Sequence, residues 1–482
     1  MNEYLYYVNG EWKKTESTQT ITIKSPYKDN VVGCIQAITK QEVDAVMNSA
    51  KQALKEWSEL TIQERGVYLN RWADCLLKTK NEIAQTVMNE VGKTYADALK
   101  EVERTAELIK YTVEEAIHLT DESMRGEQFP SGSAKKLAII KRSPLGVVLA
   151  VSPFNYPVNL AAAKIAPALI MGNTVVLKPA TQGAISGIKM IEAIHETNIP
   201  AGVINLVTGK GSEIGDYLTS HELVDMITFT GGTQTGEHLS SQSKMVPLVL
   251  ELGGKDPAII CEDANLNEVV KEIMSGAFSY SAQRCTAIKR ILVLDEVADE
   301  LVTRLKKEVE SLTVGSPEDN AVIVPLIDNK SADFVQSLID DAIEKGAKAI
   351  TEIKRDGNLI YPVLLDHVTK EMKIAWEEPF GPVLPVIRVS SVEEAIKIAN
   401  ESEYGLQASV FSENINTAMN IAAKIEAGTV QINGRTERGP DHFPFLGIKK
   451  SGLGVQGVKG SILSMSTEKV LVINVKEAVE NH

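Results

Sequence analysis

The sequence predicts an α/β protein with two largely parallel sheets, and three observations support this prediction. The chain has 482 residues, which is too long for a single hydrophobic core. From residue 145 onwards, short apolar segments alternate with helical segments. The apolar segments are too hydrophobic to face water, as is typical of parallel strands that helices cover on both faces. In such a fold, functional side chains are expected at the carboxyl ends of the strands.

The first block of alternation lies within residues 145–256, and residues 1–130 are assigned to the same domain. Its predicted strands are "LGVVLAV" (145–151), "TVVLKP" (174–179), "VINLVTG" (203–209), "MITFTGG" (226–232) and "PLVLEL" (247–252). The predicted helices between them lie near 159–171, 184–196, 211–220 and 235–243. Upstream, residues 40–119 show helical periodicity throughout.

A second block, residues 257–434, is assigned to a second domain. Its predicted strands are "AII", "RILVL", "YPVLL", "VLPVIRV", "ASVF" and "GTVQI", with helices near 265–278, 296–310, 331–345, 391–400 and 415–426. Residues 131–144 and 435–482 form the remaining segments. Each contains a strand-like stretch, "KKLAIIKR" and "EKVLVINV", and either stretch could pair with another subunit as an exposed strand.

The composition argues against several classes of partner. With 50 basic and 64 acidic residues the formal charge is −14, which disfavours binding to nucleic acid or anionic membranes. The N-terminal stretch "MNEYLYYVNGEWKK" lacks the basic-then-apolar order of a signal peptide. The most apolar region, residues 145–178, is interrupted by proline, asparagine and lysine, so no membrane span is expected. We therefore expect a cytoplasmic enzyme.

The cysteines point to one candidate nucleophile. Cys34, Cys75, Cys261 and Cys285 lie far apart without a C-x-x-C pair, so neither a disulfide framework nor a structural zinc site is expected. The first three have apolar neighbours and are interpreted as core residues. Cys285 lies in the polar, basic stretch "YSAQRCTAIKR", which is typical of a reactive thiolate. Arg284 is expected to favour that thiolate, and an inert buried cysteine is the alternative.

Two strand ends supply possible partners for Cys285. In "SPFNYP" the chain leaves a predicted strand at Asn155, whose side-chain amide could donate to a developing oxyanion. The alternative is an ordinary turn asparagine. In "LELGGK" a strand ends at Glu251, where an environment that raises the pKa of the carboxyl group would suit a general base. The alternative is a capping or salt-bridged glutamate.

Signals for a dinucleotide are spread over several loops. In "FTGGTQTG", Gly231 and Gly236 lie in a strand-to-helix turn, where backbone N–H groups could bind a pyrophosphate. This stretch is not G-x-G-x-x-G, so the signal is weak by itself. "LKPATQG" places Lys178 and Thr181 at the end of a strand, and "EEPFGPVLPV" places Glu378 before a turn.

The order of seven such motifs resembles the aldehyde dehydrogenase superfamily along nearly the whole chain. The motifs are "SPFNYP", "KPATQG", "FTGG", "LELGGKDP", "QRCTA", "EEPFGPVLP" and "FPFLGIKKSGLG". The resemblance implies a Rossmann-like cofactor domain (1–130 and 145–256), a catalytic domain (257–434) and a small β element for oligomerisation (131–144 and 435–482). It also implies a homotetramer built as a dimer of dimers.

The resemblance further implies a chemistry for these residues. The Cys285 thiolate would attack an aldehyde carbonyl, Asn155 and the Cys285 N–H would hold the oxyanion, and hydride would pass to a nicotinamide. Glu251 would activate the water that hydrolyses the thioester, which favours a free acid over transfer to coenzyme A. The implied cofactor-binding residues are Ser152, Pro153, Phe154, Lys178, Pro179, Thr181, Gly211, Asp216, Thr230, Gly231, Gly232, Leu252, Glu378 and Phe380.

Within the superfamily the chain looks most similar to the NADP-dependent, non-phosphorylating glyceraldehyde-3-phosphate dehydrogenases. Four residues carry this similarity and would bind the substrate phosphate: Arg104, Tyr156, Arg284 and Arg438. Arginine presents a planar fork of donors suited to phosphate. Each has an alternative. Arg104 could form only an ion pair on the helix surface, Tyr156 could only pack, and Arg284 recurs in other branches of the superfamily. For Arg438, the nearby Arg435 leaves open which arginine points inward.

Position 181 favours NADP as the cofactor. NAD-preferring relatives often have a glutamate there, whereas this chain has Thr181 beside Lys178, which removes a charge that would repel a 2′-phosphate. Use of both cofactors stays open. The family's usual "FTGS" is "FTGG" here, so Gly232 supplies no hydroxyl group.

Two other functions remain as alternatives. The first is a dehydrogenase of another anionic aldehyde, such as succinate semialdehyde, whose carboxylate would also bind arginines. The second is a catalytically silent dinucleotide-binding or structural relative, although the presence of Cys285, Glu251 and Asn155 counts against it.

Overall fold

The computed structural model describes residues 2–475 and confirms the predicted α/β class. Within these residues the first large sheet has eight strands. In spatial order they are Gly452–Leu453, Leu248–Glu251, Met226–Thr230, Val147–Val151, Thr174–Lys178, Ile204–Leu206, Tyr6–Val8 and Glu11–Lys13. The five strands that the sequence predicted form its parallel centre.

The order of these five strands creates a crevice. The first strand, Val147–Val151, pairs with Thr174–Lys178 on one side and with Met226–Thr230 on the other. The chain therefore winds outward in two directions from the first strand, as in a Rossmann-like sheet. In open α/β sheets, ligands bind outside the carboxyl ends of the strands at such a switch point.

Side chains of the central strands are buried on both faces. Val148 and Ala150 pack into one hydrophobic cluster, while Val147 and Leu149 pack into another on the opposite face. Because neighbouring residues of a strand point to opposite faces, this division requires helices on both sides. The covering helices are Lys40–Glu59, Ile62–Val91, Tyr95–Ile117, Asn159–Ile170, Ala184–His195, Gly211–Thr219 and Thr233–Gln242.

The second large sheet has seven strands within the described part of the chain. In spatial order they are Lys348–Ala349, Val363–Asp366, Val383–Val389, Arg290–Leu294, Pro257–Ile260, Gln407–Phe411 and Thr429–Ile432. All neighbours are parallel except for the first pair. The main helices of this block are Leu266–Phe278, Asp295–Glu310, Asn329–Glu344, Val392–Glu401 and Ile415–Ala422.

The two strand-like segments outside these sheets pair with each other. Ser466–Asn474 runs antiparallel to Lys136–Pro144, which also pairs with Glu122–Arg125. The last strand exposes four consecutive apolar side chains, Val470 to Ile473, each more than 40% accessible. Residues 476–482 of the segment predicted to join subunits lie outside the described residues.

Several short elements were not expected. The N-terminal region adds Tyr6–Val8 and Glu11–Lys13 to the first sheet and forms a separate three-stranded sheet from Glu3–Tyr4, Val31–Gln36 and Thr20–Lys24. Two small ladders join Arg355–Asp356 to Leu359–Ile360 and Tyr404–Gly405 to Ile448–Lys449, and the helix Val458–Ser464 precedes the last strand. No helix in residues 2–475 combines the length and apolar character needed to cross a membrane.

Candidate active site

A cavity of about 850 Å³ opens at the switch point of the first sheet. Its wall includes Cys285 and Asn155. It also includes thirteen of the fourteen residues predicted to bind a cofactor, namely Ser152, Pro153, Phe154, Lys178, Thr181, Gly211, Asp216, Thr230, Gly231, Gly232, Leu252, Glu378 and Phe380. The fourteenth, Pro179, packs against Gly187 instead. One space thus joins the predicted nucleophile to the predicted cofactor residues.

Two helices begin at this cavity and leave their backbones accessible. They are Gly211–Thr219 and Thr233–Gln242, the latter capped by Gly232. A Cβ atom added at Gly211, Gly215 or Gly232 would meet no other atom within 4 Å. A ligand can therefore approach N–H groups at helix N-termini, which bind phosphate well. This arrangement fits the pyrophosphate of a dinucleotide.

Lys178 and Thr181 lie at the end of the neighbouring strand, in the same wall. Burial lowers the pKa of Lys178 to about 8, and its Nζ donates to the carbonyl of Pro179 at 3.1 Å. The Thr181 hydroxyl donates to the carbonyl of Gly209 at 3.3 Å. A buried ammonium group without a carboxylate partner in the described structure favours an anionic ligand such as a phosphate.

Sequence reasoning missed part of the cavity wall. Ser212, Gly215, Gln234, Thr235 and His238 also line it. All five lie in the first or second turn of the two helices that begin at the cavity. Both helices follow strands of the predicted parallel sheet, and ligands bind at the carboxyl ends of such strands. The N-terminal turns of both helices could therefore have been predicted to line the cofactor site.

Cys285 follows a turn with unusual backbone geometry. Tyr280, Ser281 and Ala282 have φ angles of 53°, 52° and 60°, a left-handed region that non-glycine residues rarely adopt. The helix Leu266–Phe278 ends just before this turn, and the strand Arg290–Leu294 begins after Cys285. The candidate nucleophile thus lies between a helix and a strand of the second block, next to Glu251 at the end of a strand in the first sheet.

Hydrogen bonds to distant segments anchor the turn. The Tyr280 hydroxyl donates to the carbonyl of Val91 at 2.9 Å. The Ser281 hydroxyl donates to the carbonyl of Val324 and accepts from its N–H, both at 2.7 Å. Strained backbone persists only where its surroundings fix it, and such strain often accompanies functional sites.

The surroundings of Cys285 favour the protonated form of its thiol. Burial raises its pKa to about 12, the Glu251 charge adds to this effect, and Lys289 opposes it. Lys289 donates to the Cys285 carbonyl and forms an ion pair with Glu378 at 3.0 Å. The Arg284 guanidinium, which was expected to favour the thiolate, donates to backbone carbonyls of the preceding helix and is not among the main influences on the pKa of the thiol.

Glu251 lies beside the thiol, with its Oε1 atom 3.9 Å from Cys285 Sγ. One nitrogen of Arg438 donates to both carboxylate oxygens at 2.8 and 2.7 Å, and the Thr230 hydroxyl donates at 3.1 Å. Burial raises the pKa of Glu251, but Arg438 and Lys164 outweigh it, so the pKa lies below its usual value. The expected raised pKa is therefore wrong, and the salt-bridged alternative describes this carboxylate.

Asn155 contacts the segment that carries the nucleophile. Its side-chain Nδ2 donates to the carbonyl of Gln283 at 2.9 Å. An amide nitrogen carries two hydrogens, so the same group can donate a second bond toward the cavity that it lines. This position suits a donor to an oxyanion formed at Cys285.

The four residues predicted to bind phosphate are not gathered in one cluster. Arg104 and Tyr156 line a smaller cavity of about 190 Å³. Arg438 forms an ion pair with Glu251, and Arg284 donates to the carbonyls of Ser275 and Gly276. The structure therefore brings Arg104 and Tyr156 together, while the guanidinium groups of Arg438 and Arg284 are turned to other partners.

The partner of Arg104 was not predicted. Its guanidinium donates to Asp441 at 2.6 and 2.8 Å, and to the carbonyl of Arg438 at 2.7 Å. This pair is formed across the fold, so the alternative of an ion pair along the helix surface is not observed. Arg435 is paired with Glu272 and Glu437, and of the two neighbouring arginines it is Arg438 that reaches Glu251.

A buried cation supports Tyr156. The Lys93 ammonium lies 3.5 Å from the centre of the Tyr156 ring and 2.5 Å from the Glu101 carboxylate. Glu101 also accepts the N–H groups of Val158 and Asn159 at 2.9 and 3.0 Å. The ring is thus fixed by a cation–π contact next to a helix start that Glu101 caps. The sequence did not indicate a role for Lys93, and it suggested Glu101 only as a possible ion-pair partner of Arg104.

Comparisons with known proteins agree with this geometry. The model of the "Aldehyde dehydrogenase family" matches residues 12–471. A Streptococcus equinus protein named NADP-dependent glyceraldehyde-3-phosphate dehydrogenase is 55% identical over 98% of this chain and 99% of its own length. A Pisum sativum protein of the same name is 49% identical over 98% of this chain and 95% of its own length.

A solved structure is similar over the full length of both chains. It is the crystal structure of NADP-dependent glyceraldehyde-3-phosphate dehydrogenase from Bacillus halodurans C-125 complexed with NADP. It superposes with a TM-score of 0.98 at 56% identity and covers 99% of this chain and 100% of its own. The resemblance that the seven motifs indicated is confirmed: this chain belongs to the aldehyde dehydrogenase family.

Proposed function

We propose that the protein oxidises D-glyceraldehyde 3-phosphate to 3-phosphoglycerate and reduces NADP⁺ to NADPH. The observation that carries this proposal is similarity over nearly the whole chain, at 55% identity, to an enzyme named for this substrate and cofactor. The cavity adds support, since it joins Cys285 to dinucleotide-compatible helix N-termini. Other anionic aldehydes and a silent binding role have no comparable support.

The reaction begins at Cys285. Its sulfur adds to the aldehyde carbon, and the carbonyl oxygen becomes an oxyanion that the Asn155 amide and the Cys285 N–H stabilise. Because burial and Glu251 favour the protonated thiol, its proton must pass to solvent before the sulfur attacks. Lys289 donates to the Cys285 carbonyl, and its positive charge acts against burial by lowering the pKa of the thiol.

NADP would lie in the large cavity. Lys178 and Thr181 line this cavity at the end of the first sheet, and the N-termini of the two helices would bind the pyrophosphate. When bound, its nicotinamide ring supplies the hydride acceptor that the oxidation requires. Thr181 leaves room for a 2′-phosphate that a carboxylate would repel, and the Lys178 ammonium attracts it. These residues support NADP over NAD.

Hydrolysis completes the cycle at Glu251. A water molecule attacks the thioester carbonyl, its proton passes to the Glu251 carboxylate, and the carbon–sulfur bond breaks to release the acid. Glu251 is placed for this step because its Oε1 atom is 3.9 Å from the sulfur. The Thr230 hydroxyl, which itself accepts from Lys164 at 2.6 Å, orients the carboxylate.

The substrate phosphate is proposed to bind between the two cavities. Arg104 and Tyr156 supply the donors on one side, and Arg438 supplies them on the side of Glu251. Arg284 contributes only if its guanidinium leaves the helix carbonyls to which it donates here. A phosphate that contacts two or more of these groups would distinguish this substrate from a neutral aldehyde.

The assembly is proposed to be a homotetramer built as a dimer of dimers. The exposed strand Ser466–Asn474 supports this assembly. Its apolar side chains from Val470 to Ile473 are open to solvent, and contact with another subunit would bury them. Light scattering at several concentrations measures the mass. Val472→Lys should then shift the mass toward smaller species, whereas an unchanged monomer in both proteins contradicts the proposal.

The function is tested by NADPH formation from D-glyceraldehyde 3-phosphate in buffer without inorganic phosphate. The product should be 3-phosphoglycerate, identified by mass, with one NADPH per acid formed. Succinate semialdehyde and unphosphorylated glyceraldehyde serve as competing substrates. A higher kcat/KM with succinate semialdehyde, or a requirement for inorganic phosphate, would show that the proposed activity is wrong.

A further inference from the structure

Arg438 is assigned two tasks that compete for its guanidinium group. In the proposed function it binds the substrate phosphate, yet in the structure its Nη1 atom donates to both oxygens of Glu251. Its Nη2 atom donates to the Gln456 side chain at 2.9 Å, and the Phe445 ring lies 4.9 Å from the guanidinium carbon. A guanidinium has a fixed fork of donors, so the nitrogen that holds Glu251 is not available to phosphate.

The pairing weakens Glu251 as a base. The two side chains are only 13% and 3% exposed, so solvent screens their attraction little. Arg438 occupies a lone pair on each carboxylate oxygen, and it holds the pKa of Glu251 below its usual value against the effect of burial. A carboxylate in this state accepts a proton from water less readily.

We propose that the phosphate of the substrate displaces Glu251 from Arg438, so that the base becomes free only when a phosphorylated acyl group is bound. This inference rests on the proposed function, because it requires a phosphate within reach of Arg438. A phosphate dianion offers three acceptor oxygens and more charge than a carboxylate, and therefore competes well for a guanidinium. Selection for the phosphorylated substrate then extends from binding to hydrolysis.

The surrounding contacts leave Arg438 a path toward the smaller cavity. Its backbone carbonyl is held by Arg104 at 2.7 Å, which fixes the main chain while the side chain turns. Its Nε atom lies 4.0 Å from Asp441, the carboxylate that also holds Arg104. A guanidinium that leaves Glu251 therefore moves along an acidic group toward the cavity that Arg104 and Tyr156 line.

Glu251 keeps a defined position after this release. The Thr230 hydroxyl still donates to its Oε2 atom at 3.1 Å, and Lys164 still donates to Thr230. The charged or titratable groups that act on Glu251 are Arg438, Lys164 and the Cys285 thiol. Without Arg438, burial is opposed by Lys164 and Thr230, so the pKa of Glu251 rises and the carboxylate becomes a stronger base.

The test uses the full-length enzyme with NADP and two aldehydes, D-glyceraldehyde 3-phosphate and D-glyceraldehyde. Rapid mixing measures the burst of NADPH, which reports acylation, and the later steady rate, which reports hydrolysis. Wild type with D-glyceraldehyde should show a burst followed by slow hydrolysis. Arg438→Met should hydrolyse this neutral thioester roughly tenfold faster, the change expected for about one unit in the pKa of the base, while its kcat/KM for the phosphorylated aldehyde falls.

Arg435→Met is the matched control, because it removes a neighbouring arginine whose ion pairs are with Glu272 and Glu437 and not with Glu251. It should keep the wild-type pattern with both aldehydes. Thermal melting and NADP titration verify that each variant is folded. Unchanged or slower hydrolysis of the neutral thioester in Arg438→Met overturns the proposal, and so does a wild type without a burst on D-glyceraldehyde.

A second measurement needs no variant. In wild type, the acid limb of the hydrolysis rate should lie at higher pH for the phosphorylated thioester than for the neutral one, because loss of Arg438 lets the pKa of Glu251 rise. Coincident acid limbs overturn the proposal. Failure of the proposed function looks different: D-glyceraldehyde 3-phosphate would then yield no NADPH or no preference over D-glyceraldehyde in wild type.

Discussion

The sulfur of Cys285 lies 3.9 Å from the carboxylate of Glu251, although the two residues belong to different sheets. Glu251 ends a strand of the first sheet, and Cys285 precedes a strand of the second. The thiol lines the large cavity, and the carboxylate lies directly beside the sulfur. Cys285 is expected to act first, in forming the thioester, and Glu251 later, in hydrolysing it.

Cys285→Ala should abolish NADPH formation while NADP binding stays nearly unchanged, because the methyl group removes the nucleophile and leaves the cavity wall in place. Steady-state turnover and a fluorescence titration with NADP measure the two properties. Cys261→Ala, a change in a buried cysteine of the hydrophobic core beside the second sheet, is the control and should retain activity. Substantial turnover by Cys285→Ala would refute the assignment.

Glu251→Gln should still give a burst of NADPH and then stall, because the amide cannot accept the proton of the attacking water. Mass spectrometry of the stalled enzyme should show an acyl adduct on the peptide that contains Cys285. If the burst disappears together with steady turnover, Glu251 also acts before hydride transfer.

Alkylation of Cys285 in the enzyme without cofactor should accelerate about tenfold per pH unit between pH 7 and 9. Burial, assisted by Glu251, raises the pKa of this thiol to about 12, so the reactive thiolate is a small fraction that grows with pH and does not saturate in this range. Iodoacetamide labelling quantified on the Cys285 peptide measures it, with Cys285→Ser as the blank. A plateau below pH 8 would contradict the raised pKa.

Thr181→Glu should weaken NADP binding more than NAD binding, because the new carboxylate would face the 2′-phosphate. Dissociation constants for both cofactors, measured by titration, give the ratio. Thr181→Gln is the matched control, since it adds similar volume without charge. Equal losses for both cofactors with Thr181→Glu would place position 181 away from the 2′-phosphate.

Arg104→Ala should lower kcat/KM for D-glyceraldehyde 3-phosphate by roughly ten- to a hundredfold, since a hydrogen bond to a charged group contributes about 1.5–3 kcal/mol. The unphosphorylated aldehyde has no group for this arginine to hold, so its kcat/KM should change little. Lys100→Ala, which removes another cation from the wall of the same cavity, shows whether general charge matters. Equal losses with both aldehydes would exclude a phosphate role for Arg104.

The regular part of the fold was predictable because its strands are buried on both faces. The predicted strand at 226–232 is observed at Met226–Thr230, and the predicted helix at 211–220 is observed at Gly211–Thr219. Their apolar runs and their alternation are local signals. The strand Tyr6–Val8 and the edge strand Gly452–Leu453 are short, and each pairs with a strand that is distant along the chain. No local pattern indicates where they pair.

The candidate site was predictable in its members but not in its charge state. Sequence order placed Asn155, Glu251 and Cys285 at chain turns, and the structure places all three around one region. The pKa of Glu251 depends on Arg438, which is 187 positions away along the chain. Likewise, Asp441 holds Arg104 through a contact that spans 337 positions, and only the folded chain shows either pair.

The left-handed turn before Cys285 limits the amino acids that positions 280–282 can accept. Glycine adopts positive φ angles without steric strain, whereas β-branched residues are the most strained at such angles. Tyr280 and Ser281 are further restricted, because their hydroxyl groups form the anchoring hydrogen bonds. Ala282 has no such group, so glycine is the substitution that fits there, and valine or isoleucine would distort the approach to the nucleophile. Few substitutions should therefore be tolerated at positions 280–282, because this turn sets the position of the nucleophile.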